Sequence, residues 1–267
     1  MTAFRACNVC DRQAPALLYR KDGFAIVRCA GCGLVYTGDD PAQIDFAQLY
    51  GDAYYTGGSD QVFADYLGQE RARRASARRK LWGLRLRKPS GGLLDVGCAA
   101  GFFMAEARQH YQVCGVELSE FSSRHAREKL QLDVRTGTLQ EAQLPPDHFD
   151  VVTLWDVIEH VPDPVAVLAD AARVLKPGGL LVLTTGDVES RQARRKGADW
   201  SLMTPPWHLY FFSRATMAAA GRRAGLRRIA CSSRGVVSDR PWMQRRLGLV
   251  ATNLLGLGDV LQMSFTK

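Results

Sequence analysis

The sequence predicts an α/β protein, a mostly parallel sheet with helices on both faces, preceded by a small cysteine-knuckle unit. Three observations carry this. Short apolar runs alternate with helix-like segments from residue 91 onward, the pattern of parallel strands joined by helical crossovers. The first run, Leu93 to Val96, ends in a turn marked by Gly97 and Gly101. Two C-x-x-C pairs stand near the start of the chain.

The knuckles come first. Cys7-x-x-Cys10 and Cys29-x-x-Cys32 are separated by 18 residues. That spacing suits a closed four-thiolate site, for which zinc is the usual occupant. Ala16 to Tyr19 and Phe24 to Arg28 read as short strands flanking a Lys21-Asp22-Gly23 turn. Residues 1–40 are therefore expected to form a zinc ribbon whose metal is structural, because so short a unit buries little core. A ribbon that grips nucleic acid is the alternative.

Residues 41–90 read as a connector. Leu49 to Ser59, with Tyr50, Tyr54 and Tyr55, is Gly-rich and loop-like. A helical pattern runs from about Asp60 to Arg87, with Phe63, Tyr66, Leu67 and Glu70 on one stripe, and Pro89-Ser90-Gly91-Gly92 breaks it.

Residues 91–267 carry the alternation. After the first strand a helix runs toward His110. A second strand, Val113 to Val116, ends in Glu117, and Ser119 caps a helix to Leu130. Strands follow at Val134–Gly137 and Phe149–Trp155. Asp163 opens a helix to Leu175 with Pro164 at its first position. Lys176-Pro177-Gly178-Gly179 is a turn before a fifth strand, Leu180 to Thr184. A helix at Ser213–Ala224, a strand at Leu226–Ser232, a helix near Trp242–Leu255 and a strand at Asp259–Phe265 complete seven strands.

Composition bounds the function. Hydrophobic residues make up 46% of 267, enough for a core without staples. Seven cysteines, four of them in knuckles, argue for metal in a reducing compartment. No signal-peptide core stands in Met1 to Cys10, and the longest apolar-rich stretch, Leu247 to Leu261, is too short to span a bilayer. A soluble, cytoplasmic protein is expected. The net charge is +8, and Arg71 to Lys88 holds nine basic residues and no acid. Such a run suits nucleic acid, an anionic lipid surface or a phosphorylated substrate; the bland alternative is a solvated helix face. Trp82 is its sole aromatic residue, so no stacking platform is suggested.

The glycine turn lacks the Gly-Lys-Ser/Thr of a phosphate loop, and Ala99 breaks the dinucleotide fingerprint. What stands is Asp95-x-Gly97-x-x-x-Gly101 with Glu117 ending the next strand. A carboxylate there suits the paired hydroxyls of a ribose. Phe149-Asp150-Val151-Val152, Glu159-His160-Val161-x-Asp163-Pro164 and Leu175-Lys176-Pro177-Gly178-Gly179 follow in order. Together they resemble the class I S-adenosylmethionine-dependent methyltransferases over residues 91–267.

The resemblance implies a Rossmann-like sheet of seven strands, the last antiparallel, and S-adenosylmethionine as cofactor. It places Asp95, Gly97, Cys98 and Gly101 near the methionine portion and Glu117 on the ribose. Leu118 would pack on the adenine, Thr138 and Leu139 border the base, and Trp155 and Asp156 face the reaction space. Trp155-Asp156-Val157-Ile158-Glu159-His160 is similar to ubiquinone-type O-methyltransferases. Pro205 to Ser213, with the knuckles, resembles bacterial sugar methyltransferases acting on nucleotide-linked deoxysugars; those often carry a Glu-His pair where this chain has Trp207-His208.

A base is expected if the acceptor loses a proton. His208 is preferred, with His160 and Tyr210 as the other catalytic candidates; the alternative is a histidine that fixes its loop through a backbone hydrogen bond. The expected function is methyl transfer to a saccharide or other small-molecule acceptor, with a nucleotide-linked sugar suiting the basic helix. Two rivals stand: methylation of structured RNA gripped by ribbon and helix, and a non-catalytic cofactor-fold scaffold whose ribbon binds a protein.

Overall fold

The computed structural model describes residues 4–13, 15–49, 66–234 and 258–267. Tyr50, Tyr54, Tyr55, the expected helix start at Asp60 and the helix near Trp242–Leu255 lie outside the described residues. The chain forms two compact units. The first takes Met1–Ile44, Asp156–Ala169 and Val182–Phe265; the second takes Asp45–Trp155, Asp170–Leu181 and Thr266–Lys267.

In the first unit, β1 (Pro15–Lys21) and β2 (Phe24–Cys29) form the expected antiparallel hairpin. Asp22 (φ 49°) and Gly23 (φ 85°) both take positive φ, as a tight hairpin turn of matching twist requires. The sheet then continues beyond the expected pair, through β3 (Val35–Thr37) to β9 (Tyr210–Phe211), in the order β1-β2-β3-β9. Val35 pairs with Phe211 and Tyr36 with Tyr210. Strands of two and three residues carry no period that a sequence window detects. Ile26, Val35, Trp200, Met203 and Phe211 form the core beneath this sheet.

The second unit begins with a single turn, α1 (Phe46–Leu49), and then α2 (Glu70–Arg85), the described part of the expected long helix. Then come β4 (Gly91–Val96), α3 (Phe102–Ala107), β5 (Tyr111–Glu117), α4 (Glu120–Leu130), β6 (Val134–Thr136) and β7 (Phe149–Trp155). Ser119 caps α4 by accepting the Ser122 amide, and α5 (Pro164–Val174) follows Asp163, whose side chain accepts the Val165 and Ala166 amides. β4 runs parallel to both β5 and β7, and β5 to β6.

The larger sheet is the expected seven-stranded, mostly parallel one. Its order is β10-β11-β8-β7-β4-β5-β6, with β8 (Leu175–Gly186), β10 (Arg227–Arg234) and β11 (Val260–Thr266). From β4 the chain winds outward to β6, then returns to β7 on the other flank. The carboxyl end of β4 is thus the topological switch point, where such sheets bind ligands.

One expectation is corrected. Lys176 to Gly179 is not a turn before the fifth strand; β8 runs through it from Leu175. Gly178 takes φ 69° within the strand, a conformation that glycine enters without strain. Lys176 is held by an ion pair to Asp150 at 2.8 Å. Among the described residues, the first unit also holds the helices α6 (Arg191–Lys196) and α7 (Arg214–Arg223). α6 is not expected from sequence; Ser190 caps it and hydrogen-bonds Asp259 at 2.6 Å.

Candidate functional site

The turn after β4 is built by backbone conformation. Gly97 (φ 68°), Ala99 (φ 48°) and Gly101 (φ 81°) all lie in the left-handed region, which glycine enters without strain and alanine does not. At Gly101 a Cβ would also meet Leu132 Cδ1 at 2.7 Å and Ala126 Cβ at 3.0 Å, so any side chain there would force its neighbours to shift. Ala99 is held by a specific bond: its amide donates to Glu117 Oε2 at 2.8 Å. The other oxygen of Glu117 accepts the Ser119 amide at 2.9 Å. One buried carboxylate therefore braces both loops that leave β4 and β5. Each of its oxygens has two acceptor positions, so this bracing leaves capacity for ribose hydroxyls.

Asp95 lies deeper. It is 2% exposed and accepts from Thr153 Oγ1 at 2.6 Å. Burial pushes its carboxyl up to about 7, with Thr153 and Lys80 opposing and Glu117 adding to the rise. Cys98 is buried against Met104 and Leu132. Leu118, by contrast, is 42% exposed directly beside Glu117, an apolar face available to a flat base. Thr138 is exposed, and its amide and hydroxyl both bond Glu141 Oε2 at 2.8 Å; Leu139 is buried.

Trp155 closes β7. Phe103 meets its ring edge-on at 5.3 Å, and Lys80 Nζ lies 4.4 Å from the ring centroid. Its Nε1 is a buried donor with no partner among the described residues. A buried unpaired N–H is costly, and such a group marks a place for an acceptor atom. Two contributors escape the sequence reading. Lys80 stands there only as part of a basic run. Tyr66 stands there as a helix-stripe residue, yet it stacks on Phe102 at 5.9 Å under the Arg73 guanidinium. Burial drives its hydroxyl up to about 12, Arg73 opposes, and the charges of Glu117 and Asp95 add.

In the first unit the structure joins residues from two distant segments. The rings of His160 and His208 lie 4.6 Å apart at 75°. His160 Nδ1 lies 2.7 Å from the Trp207 carbonyl and His208 Nδ1 2.6 Å from that of Leu202. Each imidazole is thus oriented by a backbone oxygen, as the alternative reading of either histidine holds. Glu159, absent from the expected catalytic set, belongs to the same group: one ligand-type atom from each of Glu159, His160 and His208 lies within 4.8 Å of the others. Its Oε2 is buried with no partner among the described residues. Burial raises its carboxyl to about 8, with the Asp156 charge adding. Burial depresses both histidines, His160 to about 3 with His208 contributing. The group is thus two imidazoles whose protonation burial disfavours and a carboxyl whose ionisation burial disfavours.

Asp156 is exposed at φ 57° and accepts from Thr184 Oγ1 at 2.7 Å. Tyr210 is buried and its hydroxyl is committed elsewhere: Arg5 Nη1 donates to it at 2.7 Å, and Asn8 Oδ1 and the Pro162 carbonyl lie 2.8 Å away. The Arg5 guanidinium also lies over the rings of Tyr210 and Tyr36, 4.8 and 5.1 Å from the two centroids.

The four knuckle cysteines converge as their spacing implied. Cys7 Sγ lies 3.5 Å from Cys32 Sγ, and Cys10 Sγ 3.4 Å from Cys29 Sγ. All four sulfurs lie within 4.8 Å of one another, and no disulfide forms. Tetrahedral zinc with bonds of about 2.3 Å places sulfurs roughly 3.8 Å apart, so the set fits zinc with small adjustment. Burial alone would raise Cys29. The Cys32 amide, the thiol of Cys10 and the Gly31 amide outweigh it and bring the thiol down to about 7.

Comparison with known proteins comes to the same end. A family model described as a methyltransferase domain matches residues 66–230. A ubiquinone biosynthesis O-methyltransferase of Thiobacillus denitrificans is 36% identical over 156 residues, which cover 52% of this chain and 67% of that protein. One of Xanthomonas campestris is 38% identical over 108 residues, covering 38% of this chain and 45% of the relative. The chain thus spans about half the length of the curated relatives it matches. Among solved structures, an S-adenosylmethionine-dependent methyltransferase of Thermotoga maritima superposes with a TM-score of 0.57 at 23% identity, over 76% of this chain and 94% of that one. One of Archaeoglobus fulgidus gives 0.54 at 17% identity, over 74% and 94%. These two likenesses speak for the fold.

Proposed function

The chain belongs to the methyltransferase-domain family, and from that premise we propose that it transfers the methyl group of S-adenosylmethionine to a hydroxyl of a small-molecule acceptor. The observation that carries the reading is the Glu117 carboxylate bridging the Ala99 and Ser119 amides at the switch point, with exposed Leu118 beside it.

When bound, S-adenosylmethionine supplies an electrophilic methyl on a sulfonium. The chain's own part is to bind, orient and exclude water. Glu117 accepts the ribose hydroxyls and Leu118 covers the adenine, with Thr138 and Leu139 at the edge of the base. Gly97, Cys98 and Gly101 shape the backbone around the methionine portion, and Asp95 supports that turn from below. Trp155, through its unpaired N–H, and Asp156 face the reaction space, and Tyr66 and Lys80 flank the cradle. The acceptor's proton passes to the Glu159–His160–His208 group, with His208 as first base; Tyr210 positions its strand. The division into ribbon 1–40, connector 41–90 and transferase 91–267 remains our functional partition. Zinc on Cys7, Cys10, Cys29 and Cys32 holds the ribbon together.

Two acceptor classes fit a hydroxyl. The relatives are named for ubiquinone biosynthesis, and by analogy we take a phenol as one acceptor class. The knuckles and the Pro205–Ser213 segment support a saccharide, nucleotide-linked or free. The free thiols support a cytoplasmic setting, and no helix among the described residues is long and apolar enough to cross a membrane.

The test is label transfer from radiolabelled S-adenosylmethionine into extract of the source cells, with products separated by polarity and size. Ribonuclease-resistant label in small material supports the proposal, and its polarity assigns saccharide or phenol. Label in large ribonuclease-sensitive material establishes the RNA reading instead. Cofactor binding with no label anywhere leaves the scaffold reading.

A further inference from the structure

Helix α2 turns an unusual face to solvent. Ala77, Leu81 and Leu84 are buried on its inner side. Glu70 and Glu106, the acids beside it, are paired to Arg74 and Arg78. On the outer side, residues spaced by three, four and seven lie on one stripe. That stripe holds Arg71, Arg78, Arg79 and Arg85, all exposed. At its C-terminal end stand Trp82, 68% exposed, and the C-cap residue Leu86, 70% exposed, four residues apart.

Single exposed apolar residues need no explanation. A tryptophan and a leucine one turn apart, flanked by arginines on a helix whose one acid, Glu70, is paired to Arg74, form a patterned surface. The charge selects an anion and the paired apolar side chains select one with a hydrocarbon layer beneath it. A solitary aromatic residue offers no ladder for stacked bases. Arginine heads with an indole at the water–hydrocarbon boundary are the composition of interfacial helices.

We propose that the outer face of α2 docks this protein on anionic phospholipid membranes, with Trp82 and Leu86 entering the headgroup layer and Arg71, Arg79 and Arg85 on lipid phosphates. The docking is peripheral and reversible, because one helix face lies on the surface and does not span it. It is independent of the methyl-transfer reading.

The experiment is sedimentation of the full chain with vesicles of phosphatidylcholine alone or with one-third phosphatidylglycerol. Binding is expected to the anionic vesicles alone and to weaken in high salt. Arg79→Gln with Arg85→Gln should weaken it by about thirtyfold, at about 1 kcal/mol for each lost cation, and Arg79→Glu with Arg85→Glu by more, because each change also adds an anion. Trp82→Ala with Leu86→Ala should weaken it by about fivefold or more through lost apolar burial. Thermal midpoints within a few degrees of the parent establish that each pair folds, and the glutamine pair gives the reading should the glutamate pair fail to fold. Three results overturn the proposal: equal binding to both vesicle types, no binding to anionic vesicles, or binding that these variants leave unchanged. Loss of binding to duplex RNA in the same variants, with no vesicle binding in the parent, assigns the face to nucleic acid instead.

Discussion

Replacing Asp95 by asparagine should make the protein more stable at pH 8 and leave it little changed at pH 4. In the folded chain the buried carboxyl titrates near 7, against 3.8 for the unperturbed group. The native state therefore keeps a proton that the unfolded chain has already released. Where the native state binds more protons, stability falls as pH rises. The loss begins as pH passes the unfolded value near 4 and is complete above about 7. At 1.36 kcal/mol for each unit, it amounts to about 4 kcal/mol. Asp95 is fully buried, so solvent does not screen this. The substituted asparagine has no proton to lose, and its amide oxygen can still accept from Thr153 Oγ1, now 2.6 Å from the carboxylate. The assay is urea unfolding of both proteins without cofactor at pH 4, 5, 6, 7 and 8. Glu159 also titrates in this range, being raised to about 8, so the difference between the two proteins isolates Asp95. That difference should grow by several kcal/mol in favour of the variant between pH 4 and 8. A difference constant with pH would refute the argument that burial dominates this carboxyl.

Four further outcomes are expected. Glu117→Gln should weaken calorimetric affinity for S-adenosylmethionine by at least about tenfold, because charged hydrogen bonds of about 1.5–3 kcal/mol are lost or reversed; unchanged affinity would remove Glu117 from the site. Cys29→Ser should lose bound zinc on metal analysis of the purified protein, and full retention would refute the four-thiolate site. His208→Ala should lower kcat by roughly 10²–10⁴ with cofactor affinity unchanged, and because burial depresses both histidines below the ordinary imidazole value, the parent's rate should rise with a midpoint below pH 6.5; a midpoint at or above 6.5 would speak against either as the base. Gly115→Val should lower the thermal midpoint, since even a Cβ would stand 2.6 Å from Met104 Sδ and 2.7 Å from Cys98 Sγ, an overpacking that costs about 1–3 kcal/mol.

The cradle was legible because its determinants are local. Gly97 and Gly101 were marked by a backbone need that few residues meet, and Glu117 by its place at a strand end. Ser119 and Asp163 were legible as caps for the same reason: a cap bonds an amide two or three residues away. The cysteine pairs were legible because metal geometry dictates both the gap within a knuckle and the residue type. The sheet's strands were visible as buried apolar runs, bounded by turn residues.

What the sequence by itself determined, then, was every feature governed by interactions within a few residues or by a fixed chemical spacing: the seven strands, the glycine turn, the carboxylate that ends the second strand and the four thiols. The tertiary structure decided the rest. His160 and His208 were rivals in sequence, and folding placed their rings 4.6 Å apart with Glu159 beside them. It committed Tyr210, a catalytic candidate by its place in a motif, to Arg5, 205 residues away. It joined β3 to β9, strands too short to announce themselves. Such pairings depend on two surfaces meeting after the chain has collapsed, and neither surface carries the other's address in its own neighbourhood of sequence.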